Sequence, residues 1–122
     1  MSATAIQNIS VIGLGTIGHS VVQMFATADC RVRCFDPSPA VREGIESRIR
    51  SNLSQMVDAS LFIQEDIETV LGQITICDTE KEALVGAEFV SEAASEDLEL
   101  KQALFSRMEE SVDVETILAS NT

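Results

Sequence analysis

Apolar residues in this chain fall into two alternating patterns: short unbroken runs, and stripes spaced three or four apart. The run NISVI at 8–12 is β-branched and apolar and stops at Gly13, which predicts a strand buried on both faces. From Thr16 to about Ala28 the spacing is helical, with Ile17, Val21, Met24 and Phe25 on one stripe. RVRCF at 31–35 is the second strand, closed by DPSP, in which Ser38 caps a helix whose first position is Pro39. Val41, Ile45, Ile49, Leu53 and Met56 then mark a long amphipathic helix, and residues 61–71 predict a second helix folded back on it, ending at Gly72. QITICD at 73–78 is the third strand, and Thr79 with Glu82 forms a capping box for a short helix before Gly86. EFVSEAA at 88–94 is the fourth strand. A helix from about Glu96 to Val112 follows, with Leu104, Phe105, Met108 and Val112 inward, and ETILAS at 115–120 is the fifth strand.

Strands that alternate with helices require crossover connections, so the expected fold is α/β, a doubly wound parallel sheet of about five strands with a helical hairpin between strands two and three. The 122 residues, 45% hydrophobic, suit one domain over 1–122. With 20 acidic against 8 basic residues the formal charge is −12, which repels DNA and anionic membrane surfaces. No Lys or Arg precedes Arg31, and no apolar run approaches the length of a membrane span. Nucleic acid and membrane are therefore excluded as expected partners, and the chain reads as cytoplasmic. Cys30, Cys34 and Cys77 form no CxxC pair and His19 is the only histidine, so no zinc set is available and buried thiols are expected.

Gly13, Gly15 and Gly18 fit GxGxxG between a predicted strand and a predicted helix. In a dinucleotide site the first glycine permits the tight turn, the second lets a pyrophosphate approach the backbone, and the third lets helix and strand pack closely. The alternative is a turn made only for packing. It leaves unexplained why Asp36, 18 positions after Gly18, ends the next strand, near the offset of a ribose-binding acid. A carboxylate there accepts from ribose hydroxyls and repels a 2′-phosphate, and Pro37 and Ser38 follow with no adjacent arginine, so NAD is favoured over NADP. His19 lies at the pyrophosphate end, away from hydride chemistry, and reads as a packing or surface residue. Lys101, three before Leu104 and four before Phe105, shares the apolar stripe of its helix, where it and Glu96 could border the ligand crevice. The competing readings are an Asp97–Lys101 ion pair or a snorkelling lysine.

The blocks ISVIGLGTIGHS, FDPS, SEAASEDLELKQALF and ILASNT together resemble the NAD-binding domain of the L-3-hydroxyacyl-CoA dehydrogenase family, a Rossmann-type domain, over nearly the whole chain. The resemblance implies that Gly13, Gly15 and Gly18, with Thr16 and Ile17 between them, hold the pyrophosphate. It implies that Asp36 holds the adenosine ribose, that Glu96 and Lys101 serve the nicotinamide-side ribose region, that Ser120 and Asn121 flank the nicotinamide, and that Ala94 also belongs to the cofactor-binding set. It also implies an acyl-CoA substrate bound through a further domain, with the substrate-contacting serine directly after SNT and the catalytic His and Glu, with a supporting Asn, in a further segment and a helical domain. No residue of this chain is accordingly assigned a catalytic role, and the 122 residues alone are expected to be inactive. Relatives acting on carnitine or L-gulonate share the same cofactor domain, and a stand-alone NAD-sensing module is the alternative from a different class. The chain departs from the family at His19, Ser20 and Val21, where small residues are common, and in a short hairpin turn, MVDASLFIQ. The fifth strand has no helix after it, which predicts an uncovered apolar patch at the sheet edge and a homo-oligomer.

Overall fold

The computed structural model describes residues 6–93, 98–112 and 116–120. Five strands, β1 (Asn8–Ile12), β2 (Arg31–Phe35), β3 (Ile74–Ile76), β4 (Phe89–Glu92) and β5 (Ile117–Ser120), form one sheet in the order β3-β2-β1-β4-β5. Every pairing is parallel, with Ile9 opposite Val32 and Phe89, and Phe89 opposite Ile117. The doubly wound expectation holds, and the chain reverses direction across the sheet between β1 and β4. The connections carry α1 (Thr16–Thr27), α2 (Pro39–Asp58), α3 (Ile67–Gly72), α4 (Glu80–Leu84) and α5 (Leu98–Ser111).

Alternate residues of the central strands feed two cores. On one face Ile9, Val11, Val32 and Cys34 meet Val22 and Ala26 of α1, Ile45, Ile49 and Leu53 of α2, and Ile67, Val70 and Leu71 of α3. On the other, Ile12 and Val90 meet Ala83 and Leu84 of α4 and Leu104 and Met108 of α5. Side chains such as Ile45, Ile49 and Leu53, each at most 1% exposed, contribute about 1.5–3 kcal/mol apiece relative to exposure. The caps follow the sequence. Ser38 Oγ accepts from the Val41 amide at 3.3 Å with Pro39 at the first helical position, and Thr79 Oγ1 accepts from the Glu82 amide at 3.1 Å.

Three expectations need correction. In α1 the buried residues are Gly18, His19, Val22 and Ala26, whereas Ile17 and Met24 of the expected stripe are 51% and 57% exposed. The helix turns this way because Gly18 must face β1, which carries the residues four and eight later inward with it. The second hairpin helix is also shorter than expected: Leu61 and Ile63 are exposed, a single 3₁₀ turn spans Gln64–Asp66, and α3 begins at Ile67. The cause is the end of α2, a Schellman motif in which the Ser60 amide bonds Val57 O, the Leu61 amide bonds Met56 O, and Ser60 takes φ 61°. α1 ends the same way, with Asp29 at φ 67°. Finally, the thiols are not equally buried: Cys34 and Cys77 are, and Cys30 is half-buried.

Candidate functional site

The turn from β1 into α1 is bolted to the end of β2. The Gly13 amide donates to Phe35 O at 2.8 Å, and the Leu14 amide donates to Asp36 Oδ2 at 2.9 Å. Gly13 adopts φ 95°, the left-handed region open to glycine at no steric cost. A Cβ on Gly18 would sit 1.7 Å from Gly13 O, so only glycine allows α1 to cross this close to the strand. Gly15 differs: a Cβ there would meet nothing within 4 Å.

Gly15 is the N-cap of α1 and offers no side-chain oxygen, and the first turn holds no acidic residue. The early amides of a helix lack intrahelical partners, and at this end the helix dipole is positive. Gly15, Thr16 and Ile17 are exposed and open space lies beside Gly15, so this helix start forms a candidate anion cradle that a Cβ on Gly15 would obstruct. The fit to a pyrophosphate is direct. His19 stands behind the cradle, buried, its Nδ1 3.1 Å from Gly15 O, which bears out the packing reading.

Asp36, half-buried at the C-terminal end of β2, holds the cradle in shape from the side. Its Oδ2 takes the Leu14 amide and its Oδ1 takes the Ser38 amide, both at 2.9 Å. A carboxylate has about four acceptor sites, so capacity remains for ribose hydroxyls. Sequence reasoning missed a side chain that bonds to its backbone carbonyl. Arg42, in the second turn of α2, donates from Nη1 to the Asp36 carbonyl at 2.7 Å, and its guanidinium lies 5.5 Å from the centre of the Phe35 ring. The signal was present in the cap, since Ser38 and Pro39 fix where α2 starts and hence which residue turns back over β2.

Elsewhere the expected site is described in part. The backbone of Lys101 lies in α5, where buried Leu104 and Met108 confirm the apolar stripe, and the backbone of Ser120 ends β5. The side chains of Lys101 and Ser120, together with Ala94, Glu96 and Asn121, lie outside the described residues. A second residue that sequence reasoning missed is Glu92, fully buried at the C-terminal end of β4, opposite Ile12 on one side and Ser120 on the other. Burial and the neighbouring Cys77 push the Cys34 thiol up to about 12, so it is no nucleophile at neutral pH. Among the described residues no group of His, Cys, Asp and Glu could hold a metal ion, and no helix is long and apolar enough to cross a membrane.

Residues 8–122 match the family described as 3-hydroxyacyl-CoA dehydrogenase, NAD binding domain. The lambda-crystallin homolog of Homo sapiens is 32% identical over 124 residues, covering 100% of this chain and 39% of the relative. A 3-hydroxybutyryl-CoA dehydrogenase of Mycobacterium tuberculosis is 31% identical, covering 97% of this chain and 41% of the relative. Among solved structures, 3-hydroxybutyryl-CoA dehydrogenase from Escherichia coli superposes with a TM-score of 0.90 at 31% identity, covering 97% of this chain and 25% of that one. The chain thus spans about two fifths of the length of the curated relatives it matches. A glycine cradle on β1–α1, an acid at the end of β2 and this match over 8–122 lead to one conclusion: the chain belongs to the NAD-binding domain family of the 3-hydroxyacyl-CoA dehydrogenases.

Proposed function

We propose that this chain supplies the NAD site of a dehydrogenase that oxidises the 3-hydroxyl of an acyl-CoA to a ketone. The observation that carries the reading is Gly15, an uncapped helix start whose Cβ direction opens on free space, beside a carboxylate hydrogen-bonded into the same turn. On this reading the amides of the Gly13–Gly18 turn, including those of Thr16 and Ile17, hold the pyrophosphate, and Asp36 accepts from the adenosine ribose. Glu96 and Lys101 serve the nicotinamide-side ribose, Ser120 and Asn121 flank the ring, and Ala94 also belongs to the cofactor-binding set. When bound, NAD supplies the hydride acceptor.

The proton of the oxidised hydroxyl needs a base, and the one histidine of these residues, His19, is buried beneath the cradle at the pyrophosphate end. The cradle's part is to hold and orient the cofactor. The acyl-CoA substrate is supported by the relatives named for 3-hydroxybutyryl-CoA. Self-association is supported by Ile117, 50% exposed on edge strand β5. The testing experiment is a calorimetric titration with NADH and NADPH. NADH should bind at least tenfold tighter, because a 2′-phosphate would face the Asp36 carboxylate. Equal or tighter NADPH binding would refute the reading.

A further inference from the structure

No arginine is adjacent to Asp36 in the sequence, yet the fold brings one to its backbone. Arg42 is half-buried, with Nη1 on the Asp36 carbonyl at 2.7 Å and the guanidinium over Phe35 at 5.5 Å. The Arg42 amide bonds Ser38 O at 3.1 Å, so the capped start of α2 fixes the residue's position. The two side-chain contacts orient the guanidinium yet use one of its five N–H donors. Arg50 is spent on Glu46 and Glu68, and Arg107 on Glu80, whereas among the described residues no carboxylate forms an ion pair with Arg42.

We propose that Arg42 is a latent recognition group for a 2′-phosphate, masked by the Asp36 carboxylate. This rests on the dinucleotide reading of the site and deepens it. The site holds both elements of cofactor choice side by side: a carboxylate that excludes the phosphate and a preoriented guanidinium suited to bind it. Cofactor preference is then set by the charge of Asp36 rather than by the lack of a cation.

The test uses the whole chain in four forms: unaltered, Arg42→Ala, Asp36→Asn and the double variant, each titrated with NADH and with NADPH. Asparagine keeps one oxygen to accept from the Leu14 amide while removing the charge. Asp36→Asn should tighten NADPH binding at least tenfold, and adding Arg42→Ala should abolish that gain while changing NADH affinity less than threefold. A gain that survives in the double variant, or no gain in a folded Asp36→Asn, would overturn the proposal. Should Asp36→Asn fail to fold, Asp36→Ser with and without Arg42→Ala decides. Asp36→Ser should tighten adenosine 2′,5′-bisphosphate at least threefold more than ADP, and adding Arg42→Ala should remove that gain. No gain, or a gain that survives Arg42→Ala, would overturn the proposal. Failure of the unaltered chain to bind NADH would remove the dinucleotide reading and this proposal together, whereas NADH binding without the Arg42 effect removes only the latter.

Discussion

Two glycines three residues apart in the β1–α1 turn serve different masters. Gly18 has no room for a side chain, because a Cβ there would lie 1.7 Å from the carbonyl oxygen of Gly13. Gly15 has all the room the protein can offer, with nothing within 4 Å. The first is a glycine demanded by the fold and the second is one the folded chain does not need for itself. Open space alone does not mark a ligand site, since a Cβ on Gly44 or Gly72 would also meet nothing within 4 Å. Gly15 is set apart because it starts an uncapped helix beside the Asp36 carboxylate, so a motif of three like residues divides into a packing part and a candidate binding part. Gly13 belongs with the packing part, through its φ of 95° and its amide bond to Phe35.

The largest expected effect breaks the fold. Gly18→Ala must push α1 away from β1 or distort Gly13, and backbone is on the far side of the clash, so stability should fall by more than about 3 kcal/mol. Urea unfolding checks this, and a loss under 1 kcal/mol would mean that the close crossing is not obligatory. Gly15→Ala should do the reverse. Its φ of −69° suits alanine, so stability should change by less than about 1 kcal/mol, the scale of an N-cap change, while NADH binding weakens at least about tenfold, or 1.4 kcal/mol. Unchanged NADH affinity in that variant would erase the distinction between the two glycines.

The smallest effect concerns a position where a glycine is missing. Ser60 closes α2 at φ 61°, a conformation costing a non-glycine residue roughly 1 kcal/mol, and its side chain is exposed. Ser60→Gly should therefore stabilise the protein by about 0.5 kcal/mol, the conformational relief being partly offset by greater freedom in the unfolded chain. A destabilisation in the same unfolding experiment would show that the serine side chain matters at that turn.

These positions also mark what could be read from the sequence. Element order, the parallel sheet, the caps at Ser38 and Thr79, the glycine turn and Asp36 were legible because each depends on residues close in the chain or on simple periodicity. The inward face of α1 was not, because hydrophobicity points to Ile17 and Met24 while the constraint comes from Gly18, a residue with no apolar signal. The start of α3 was hidden because α2 ends on a serine rather than a glycine in the left-handed position. Arg42 was hidden by distance in sequence, lying six positions from Asp36 and returned to it by the helix after Pro39. Ile117, on β5 at the edge of the sheet among the described residues, is 50% exposed.

Amide chemical shifts followed by NMR during an NADH titration examine the cradle itself. If the pyrophosphate sits on the start of α1, the largest saturable shifts fall on the amides of Gly15–Gly18, with smaller ones at Leu14 and Ser38 through the Asp36 carboxylate. Saturable binding of NADH that leaves Gly15–Gly18 unmoved and shifts amides at another surface, such as the groove lined by Gln23, Asn52 and Met56, would contradict the assignment of this turn as the cofactor cradle.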